Sequence, residues 1–254
     1  MPEAELHRLL TMAVFVAAGV LFFVFGVRPA PYGRHARPGY GPVIGERLGW
    51  LLMGAPAVLV FVWVFARGRF AGDTIPLLFA ALWCGHFLYR AFIYPFRRRP
   101  RPGHAMPLVG VLAGLSLHVA CAYLNARWLT ELGPGYGWRW LLTFRFLYGG
   151  LLMVTGLGIN RWADGVLRKL RRAPTDDYAI PRGGLYDDIS CPNYLGEILQ
   201  WLGWAIATWS LAGLALATMT AALLVPRAVS HHRWYQRRFP DYPRRRHALI
   251  PFVL

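Results

Sequence analysis

Residues 192–226 read PNYLGEILQWLGWAIATWSLAGLALATMTAALLVP, 35 residues carrying one charge, Glu197. As a single helix at 1.5 Å per residue this stretch would run about 52 Å. The hydrocarbon core of a bilayer is only about 30 Å thick. Ser210 and Gly213 near its middle offer a turn, so the stretch is expected to fold as two helices, 192–209 and 211–226. Five more apolar runs lie upstream at 9–27, 48–66, 74–96, 105–125 and 140–160. The expectation is an all-α polytopic membrane protein, a bundle of seven transmembrane helices forming one domain over 1–254.

The distribution of basic residues supports an odd number of spans. With seven, Arg8, Arg67, Arg69, Arg127 and Arg139 fall on one side and 21 of the 28 Lys and Arg fall on the other, Arg90 and Arg145 lying inside spans. With six, the tail changes sides and the asymmetry disappears. By the positive-inside rule the N-terminus is then outside and the C-terminus cytoplasmic. Glu3 and Glu5 in the leader argue against a cleaved signal peptide. Composition agrees: 56% of the 254 residues are hydrophobic, only 16% are charged, and mean hydropathy is +0.35. That excludes a disordered chain and a large soluble catalytic domain. The net charge of +16 marks the cytoplasmic face rather than a nucleic-acid partner. Only one of the basic residues, Lys169, is a lysine, a bias associated with GC-rich bacterial genomes, so a bacterial inner membrane is expected. Cys84, Cys121 and Cys191 are too scattered for a disulfide framework.

Ionisable groups inside spans are costly to expose to lipid and so mark candidate sites. Glu197 is the clearest, and Asn193, Glu197 and Trp201 recur every four residues along one helix face. Asn160, Asp164 and Arg168, with Arg171 beyond, repeat the spacing at the end of the fifth span. Arg227, His231 and Tyr235 repeat it past the seventh. Any one stripe could be a snorkelling collar or a helix-end polar pair. Three stripes starting at the same membrane surface point to a shared polar cavity. His86, Tyr89 and Arg90 form a weaker cluster in the third span, and His118 alone reads as a bundle histidine.

Arginines, amides and phenols without paired carboxylates suit a large anionic ligand, since guanidinium forks bind phosphate and Asn or Asp bind ribose hydroxyls and amides. A nucleotide cofactor fits. GxGxxG and Walker motifs are absent, as are HExxH and Gly-x-Ser-x-Gly. Metal-ligand spacing is also missing, so no metal is expected.

At Asn160-Arg-Trp-Ala-Asp164, Ile180-Pro-Arg-Gly-Gly-Leu-Tyr186, Asn193-Tyr-Leu-Gly-Glu197, Ala207-Thr-Trp-Ser210 and His231-His-Arg-Trp-Tyr235 the chain resembles the steroid 5α-reductase (3-oxo-5α-steroid 4-dehydrogenase) family. The likeness continues through Asp241-Tyr-Pro and Ala248-Leu-Ile-Pro-Phe252, with weaker traces at Tyr32-Gly-Arg-His35, at His86 with Tyr89-Arg90 and Tyr94, and at Arg99-Pro-Arg-Pro102. The resemblance implies a membrane enzyme that uses NADPH to reduce the Δ4 double bond of a 3-oxo steroid or similar lipophilic enone. Carried over by position, Tyr32, Arg101, Asn160, Asp164, Arg171, Tyr178, Asn193, Arg227, His231 and Tyr235 would contact the dinucleotide. Glu197 would hold the nicotinamide end and Trp201 would help line the cavity. Most of these cofactor motifs fall within 160–254.

The resemblance also shows a departure. Where the family's eukaryotic steroid reductases carry Gln-Glu in the second span and Tyr in the third to bind the 3-ketone, this chain has Met53, Gly54 and Phe87. An Arg of the fourth span in some members appears here as Gly110. Glu197 and Tyr235 are the catalytic candidates at the polar end; the group that stabilises the enolate oxygen is unassigned, with His86 and Tyr89 available. The expected partners are a lipophilic small molecule entering from the bilayer and membrane lipid, with neither nucleic acid nor an obligate protein partner. The alternative is an isoprenylcysteine- or phospholipid-type methyltransferase using S-adenosylmethionine, whose His-Pro-x-Tyr motif would meet Cys191-Pro-Asn193-Tyr194. A lipid carrier would need neither Glu197 nor the arginine stripes.

Overall fold

In the computed structural model, residues 1–97, 105–170 and 178–254 are described. Among them seven principal helices follow in chain order: α1 (Glu3–Val27), α2 (Glu46–Phe65), α3 (Thr74–Leu88), α4 (Leu108–Arg127), α5 (Phe144–Leu170), α6 (Pro192–Thr208) and α7 (Leu211–Arg238). A π turn at Tyr89–Ile93 and a last α turn at Tyr94–Arg97 prolong α3, and a second π turn, Trp128–Leu132, prolongs α4. The long apolar stretch does divide where Ser210 stands. Trp209 takes a left-handed conformation (φ +48°), and Ser210 Oγ accepts from the backbone N–H of Gly213 at 2.8 Å, capping α7. Arg145 stacks on the exposed Trp209 ring at 4.3 Å.

Five helical segments are long and apolar enough to cross a membrane: Glu3–Val27, Glu46–Phe65, Thr74–Arg97, Leu108–Leu132 and Leu211–Arg238. The expected runs at 140–160 and 192–209 are helical but do not meet that standard. α5 starts at Phe144, after a 3-10 turn at Trp138–Leu142, and its C-terminal part carries Arg161, Asp164, Arg168 and Lys169. α6 has 17 residues, about 26 Å at 1.5 Å each. These two helices are also the most intimately paired. Gly149 and Gly156 of α5 face Gly203 and Gly196 of α6: a Cβ at Gly196 would lie 2.5 Å from Asn160 N, and one at Gly203 would lie 2.5 Å from Gly149 O. Backbone meets backbone along this seam, as small residues permit between helices in lipid.

The next most extensive pairs are α2 with α4, α1 with α7 and α6 with α7, and α3 packs on α2. They close on an aromatic core of Phe61, Phe79, Trp83 and Trp204. Trp83 Nε1–H donates to Ala57 O at 2.7 Å and Trp204 Nε1–H to Asn125 Oδ1 at 2.8 Å, so both buried indoles are satisfied. Outward faces of α1 and α5 remain apolar, with Val20, Phe23, Leu147, Leu151 and Val154 exposed. One element departs from the all-α expectation. Val43–Gly45 (β1) and Ala105–Pro107 (β2) pair antiparallel, Ile44 opposite Met106, so the expected span at 105–125 opens as a strand. The pair ties the ends of α2 and α4 together. At the far end of the chain His247 exchanges backbone hydrogen bonds of 2.9 Å with Asp188 and Ser190, fastening the tail to the loop that enters α6.

Candidate active site

The three polar stripes do converge. From α5, Asn160 Nδ2 donates to Asn193 O at 2.9 Å and to Glu197 Oε2 at 3.1 Å. From α6, Asn193 Nδ2 donates to Asp164 Oδ1 at 3.3 Å. Arg90, on the π turn that prolongs α3, joins both carboxylates, at 3.0 Å from Asp164 Oδ2 and 2.8 Å from Glu197 Oε2. The π turn adds a residue to the local helix repeat, and such turns recur at functional sites. A buried carboxylate, Asp164, and a partly buried one, Glu197, share one guanidinium, an arrangement that repays their desolvation only while all partners are present.

α7 supplies the next wall. Arg227 Nε–H donates to Tyr194 OH at 3.2 Å, and its guanidinium lies 3.7 Å from the Tyr32 ring centroid. His231 is within 3.1 Å of Tyr194 OH through Nε2 and 2.9 Å of His35 Nε2 through Nδ1. Tyr32 and His35 come from the loop between α1 and α2, which therefore folds over the end of α7. In the same loop Arg34 sits among the rings of Tyr178, Trp234 and Tyr235 at 4.9, 4.8 and 4.7 Å. Burial, followed by repulsion from Arg227 and Arg34, lowers the His35 pKa from its ordinary value to about 4. Tyr235 stacks on Tyr242 at 5.3 Å, and Tyr242 meets Ser190 Oγ at 2.7 Å, so the C-terminal tail holds this wall in place.

These groups surround a cavity of about 200 Å³ lined by residues of all three stripes, among them Asp164, Asn193, Glu197, Arg227, His231 and Tyr235, and by Tyr32, Arg34 and Tyr178. Met53, Gly54 and Phe87 line the same cavity, together with His86, Arg90 and His118. Two expectations need correction. Trp201 is 2% exposed and does not line the cavity; it backs it, its ring 4.8 Å from His86 and 5.4 Å from Phe87. Tyr89 is not at the wall either, because its ring lies 3.3 Å under the Arg161 guanidinium. Gly110 is exposed on α4 and does not line the cavity, so the Arg it replaces has no counterpart there. Arg101 and Arg171 lie outside the described residues. Asn160 is buried and acts through Glu197 and Asn193.

Sequence reasoning gave Arg90 a minor place and missed Gln200 and Arg34. Arg90 carried a signal, a charge inside a span. Gln200, fully buried one turn beyond Glu197, is bound through Nε2 to His86 Nδ1 at 2.7 Å. Arg34 lies in the Tyr32–His35 trace but was given no role, because its ring partners Tyr178, Trp234 and Tyr235 are far along the chain.

Helices apolar enough to cross a membrane thus close around one chamber whose walls are charged at one end and carry Met53, Gly54 and Phe87 at the other, the architecture of an integral membrane protein with an internal polar site. The particular family follows from similarity. A family model described as 3-oxo-5-alpha-steroid 4-dehydrogenase matches residues 104–254. The chain is 38% identical over 227 residues to steroid 5-alpha-reductase DET2 of Gossypium hirsutum, covering 88% of each chain. It is 37% identical over 227 residues to 3-oxo-5-alpha-steroid 4-dehydrogenase 1 of Homo sapiens, covering 87% of this chain and 85% of the relative. With 3-oxo-5-alpha-steroid 4-dehydrogenase 2 of Rattus norvegicus it shares 37% over 246 residues, covering 95% and 94%. The chain belongs to the 3-oxo-5-alpha-steroid 4-dehydrogenase family and is an oxidoreductase.

Proposed function

We propose that this protein reduces the Δ4 carbon–carbon double bond of a 3-oxo steroid or similar lipophilic enone at the expense of NADPH. The observation that carries the reading is the two-ended chamber: one end has arginine, amide and phenol walls, the other Met53, Gly54 and Phe87, and both belong to one cavity. The polar end fits a nicotinamide dinucleotide. Arg34 and Arg227 line the cavity and each bury one guanidinium nitrogen without a protein partner, so donors for anionic oxygens are already in place. Arg34, Arg227, His231, Tyr235, Tyr32 and Tyr178 would hold the phosphates and adenosine, as would Arg101 and Arg171; Asp164, Asn193 and Glu197 would hold the ribose and carboxamide, with Asn160 behind them.

NADPH, when bound, supplies the hydride that adds to the β-carbon. The protein's part is positional and electrostatic. Arg90 and Asn160 fix the Glu197 carboxylate, leaving Oε1 to orient the carboxamide. Phe87, backed by Trp201, gives a flat apolar face for the substrate rings, and the surrounding helices exclude bulk water. As the electron pair of the double bond moves to the carbonyl oxygen, a donor must meet it before the α-carbon is protonated.

The topology that goes with this reading has all seven helices in the bilayer, N-terminus outside and basic C-terminal tail in the cytoplasm of a bacterial inner membrane. The short α6 is shielded from lipid by α5 and α7, and substrate enters from the bilayer while cofactor enters from the basic side. Incubation of purified protein with NADPH and a panel of enones, followed by product analysis, should yield the saturated ketone. NADPH should raise the melting temperature of detergent-solubilised protein and S-adenosylmethionine should not. The reverse pattern would transfer the protein to the methyltransferases.

A further inference from the structure

Two imidazoles reach the apolar end of the cavity, one on each side of Phe87: His86 at 5.0 Å and His118 at 5.7 Å between ring centroids. Their hydrogen bonds give them opposite polarity. His118 Nδ1 lies 2.7 Å from Gly114 O. A carbonyl oxygen only accepts, so Nδ1 carries the proton and Nε2 of the neutral ring is an acceptor. His86 Nδ1 instead lies 2.7 Å from the amide nitrogen of Gln200, which only donates. With the Gln200 amide in this orientation, which leaves its Oε1 buried without a partner, Nδ1 of His86 accepts and Nε2 carries the proton. A carboxylate facing that nitrogen, Glu197 Oε1 at 3.8 Å, favours the same tautomer. At 3.8 Å it is too far to take the hydrogen bond, and Glu197 Oε2 is already engaged by Arg90 and Asn160. Among the described residues nothing accepts from His86 Nε2–H.

Two other donors are less well placed. Tyr89 lies under Arg161. The Trp50 indole N–H is buried without a partner; its ring packs on the Met53 cluster and edge-on against Tyr32, which lies under Arg227, so it bridges the two ends and makes no ring contact with Phe87. Restoring the family's carboxylate is barred by packing: a Cβ at Gly54 would lie 2.6 Å from Ala91 Cβ.

We propose that His86 Nε2–H is the donor that holds the substrate carbonyl in this chain, in place of the Gln, Glu and Tyr it lacks, and that Gln200 is a positioning residue that fixes the imidazole in the donating tautomer. The proposal rests on the enone-reductase reading. A neutral imidazole N–H polarises a carbonyl without needing a buried charge. In the reduction, NADPH would supply the hydride and be oxidised to NADP+; as the hydride bonds to the β-carbon, the C=C pair moves between the α-carbon and the carbonyl carbon and the carbonyl π pair moves onto oxygen, where His86 Nε2–H stabilises it. When the carbonyl re-forms, water gives a proton to the α-carbon and the hydroxide left takes one from bulk solvent; His86 keeps its own proton throughout.

The test is carbonyl preference in binding, read from quenching of intrinsic tryptophan fluorescence in the full-length protein. A 3-oxo-Δ4 steroid is compared with its 3-deoxy analogue. Wild type should favour the ketone. His86→Leu should lose about tenfold on the ketone and nothing on the analogue. His86→Gln, whose amide nitrogen falls near the imidazole Nε2 position, should recover the preference, and the shorter His86→Asn should not. Gln200→Leu should weaken it and Gln200→Glu, which accepts from Nδ1–H and turns Nε2 into an acceptor, should abolish it. With NADPH, kcat of His86→Leu should fall roughly 100-fold while the NADPH-induced rise in Tm is kept. Equal preference in wild type and His86→Leu, or equal losses on both ligands, would overturn the proposal. Should His86→Leu not fold, the contrast between His86→Gln and His86→Asn decides the matter alone: equal ketone preference in those two would overturn it. Failure of the reductase reading shows separately, as a wild type that neither oxidises NADPH with any enone nor gains Tm from it.

Discussion

At the end of the cavity built by α5, α6 and α7, charged and amide side chains are locked to one another; at the end built by α2, α3 and α4, a thioether, a glycine and a phenyl ring take the corresponding positions. The polar end is expensive to assemble and therefore tolerates few changes: Asn160, Asp164, Asn193, Glu197 and Arg90 are joined in one network. The apolar end is held by shape. Met53 lies where a Cβ at Gly114 would touch its Sδ at 2.5 Å, and Gly54 lies directly against Ala91 of the π turn. Chemistry specifies the end where a charged ligand would be gripped, and steric fit specifies the end where a lipophilic ring system would rest.

The sharpest way to break this contrast is to remove Arg90. Arg90→Met would leave the buried Asp164 and the partly buried Glu197 without their common counter-ion. Breaking a buried ion pair from one side costs about 3–5 kcal/mol, so the variant should melt well below wild type in detergent and lose the NADPH-induced shift. Glu197→Gln should be far milder in stability, because Arg90 keeps Asp164, yet turnover should fall by roughly 100-fold if the carboxylate orients the nicotinamide. Unchanged kinetics in Glu197→Gln would remove that role.

The helix seams come next. Gly203→Val should cost about 1–3 kcal/mol or more from overpacking, since its Cβ would press on Gly149 O. Gly158→Ala on the open face of α5, with no atom within 4 Å of the added Cβ, should gain up to about 1 kcal/mol in helix propensity. Thermal melts of the two variants distinguish a close-packed seam from a general dislike of larger residues. At the other end, Gly54→Ala should cost about 1–3 kcal/mol through Ala91. The combined Met53→Gln, Gly54→Glu and Phe87→Tyr exchange should then lower Tm rather than supply a working ketone site. A triple variant that is as stable as wild type and faster on 3-oxo-Δ4 steroids would mean that the π turn yields easily.

How far each end could be read from the chain follows from the same difference. Asn193, Glu197, Asp164, Arg227 and His231 stand out because polar residues at i, i+4 spacing are rare in apolar helices, and their convergence follows from the stripes sharing one end. Ser210 is legible as a turn because 35 apolar residues exceed the bilayer. Trp201, by contrast, reads as cavity lining from its place in the Asn193–Glu197 stripe, whereas it lies one layer back behind Phe87. The closeness of Gly54 to Ala91 depends on a π turn that leaves no mark in residue type. The strand pair at 43–45 and 105–107 and the fold-back of Tyr32, Arg34 and His35 onto α7 are contacts between distant segments, which local periodicity does not carry.

That fold-back gives the smallest effect and a pH signature of its own. His35 meets His231 at 2.9 Å with Arg227 and Arg34 close by, and its pKa is held near 4 in the folded protein against about 6.5 when exposed. A folded-state value below the unfolded one means that the unfolded chain binds the proton first. The contact's contribution to stability is therefore complete above pH 6.5 and is lost progressively as pH falls from 6.5 towards 4. Because the loop is partly exposed, solvent screens much of the effect. His35→Gln retains an amide donor for His231 Nδ1 and cannot titrate, so its Tm should fall less than that of wild type between pH 7 and pH 5. Substitutions at the apolar end, such as Gly54→Ala, should leave the wild-type slope unaltered. Parallel slopes for wild type and His35→Gln would mean that the loop does not seat on α7 through this histidine pair, and the wall facing Arg227 would have to be drawn without it.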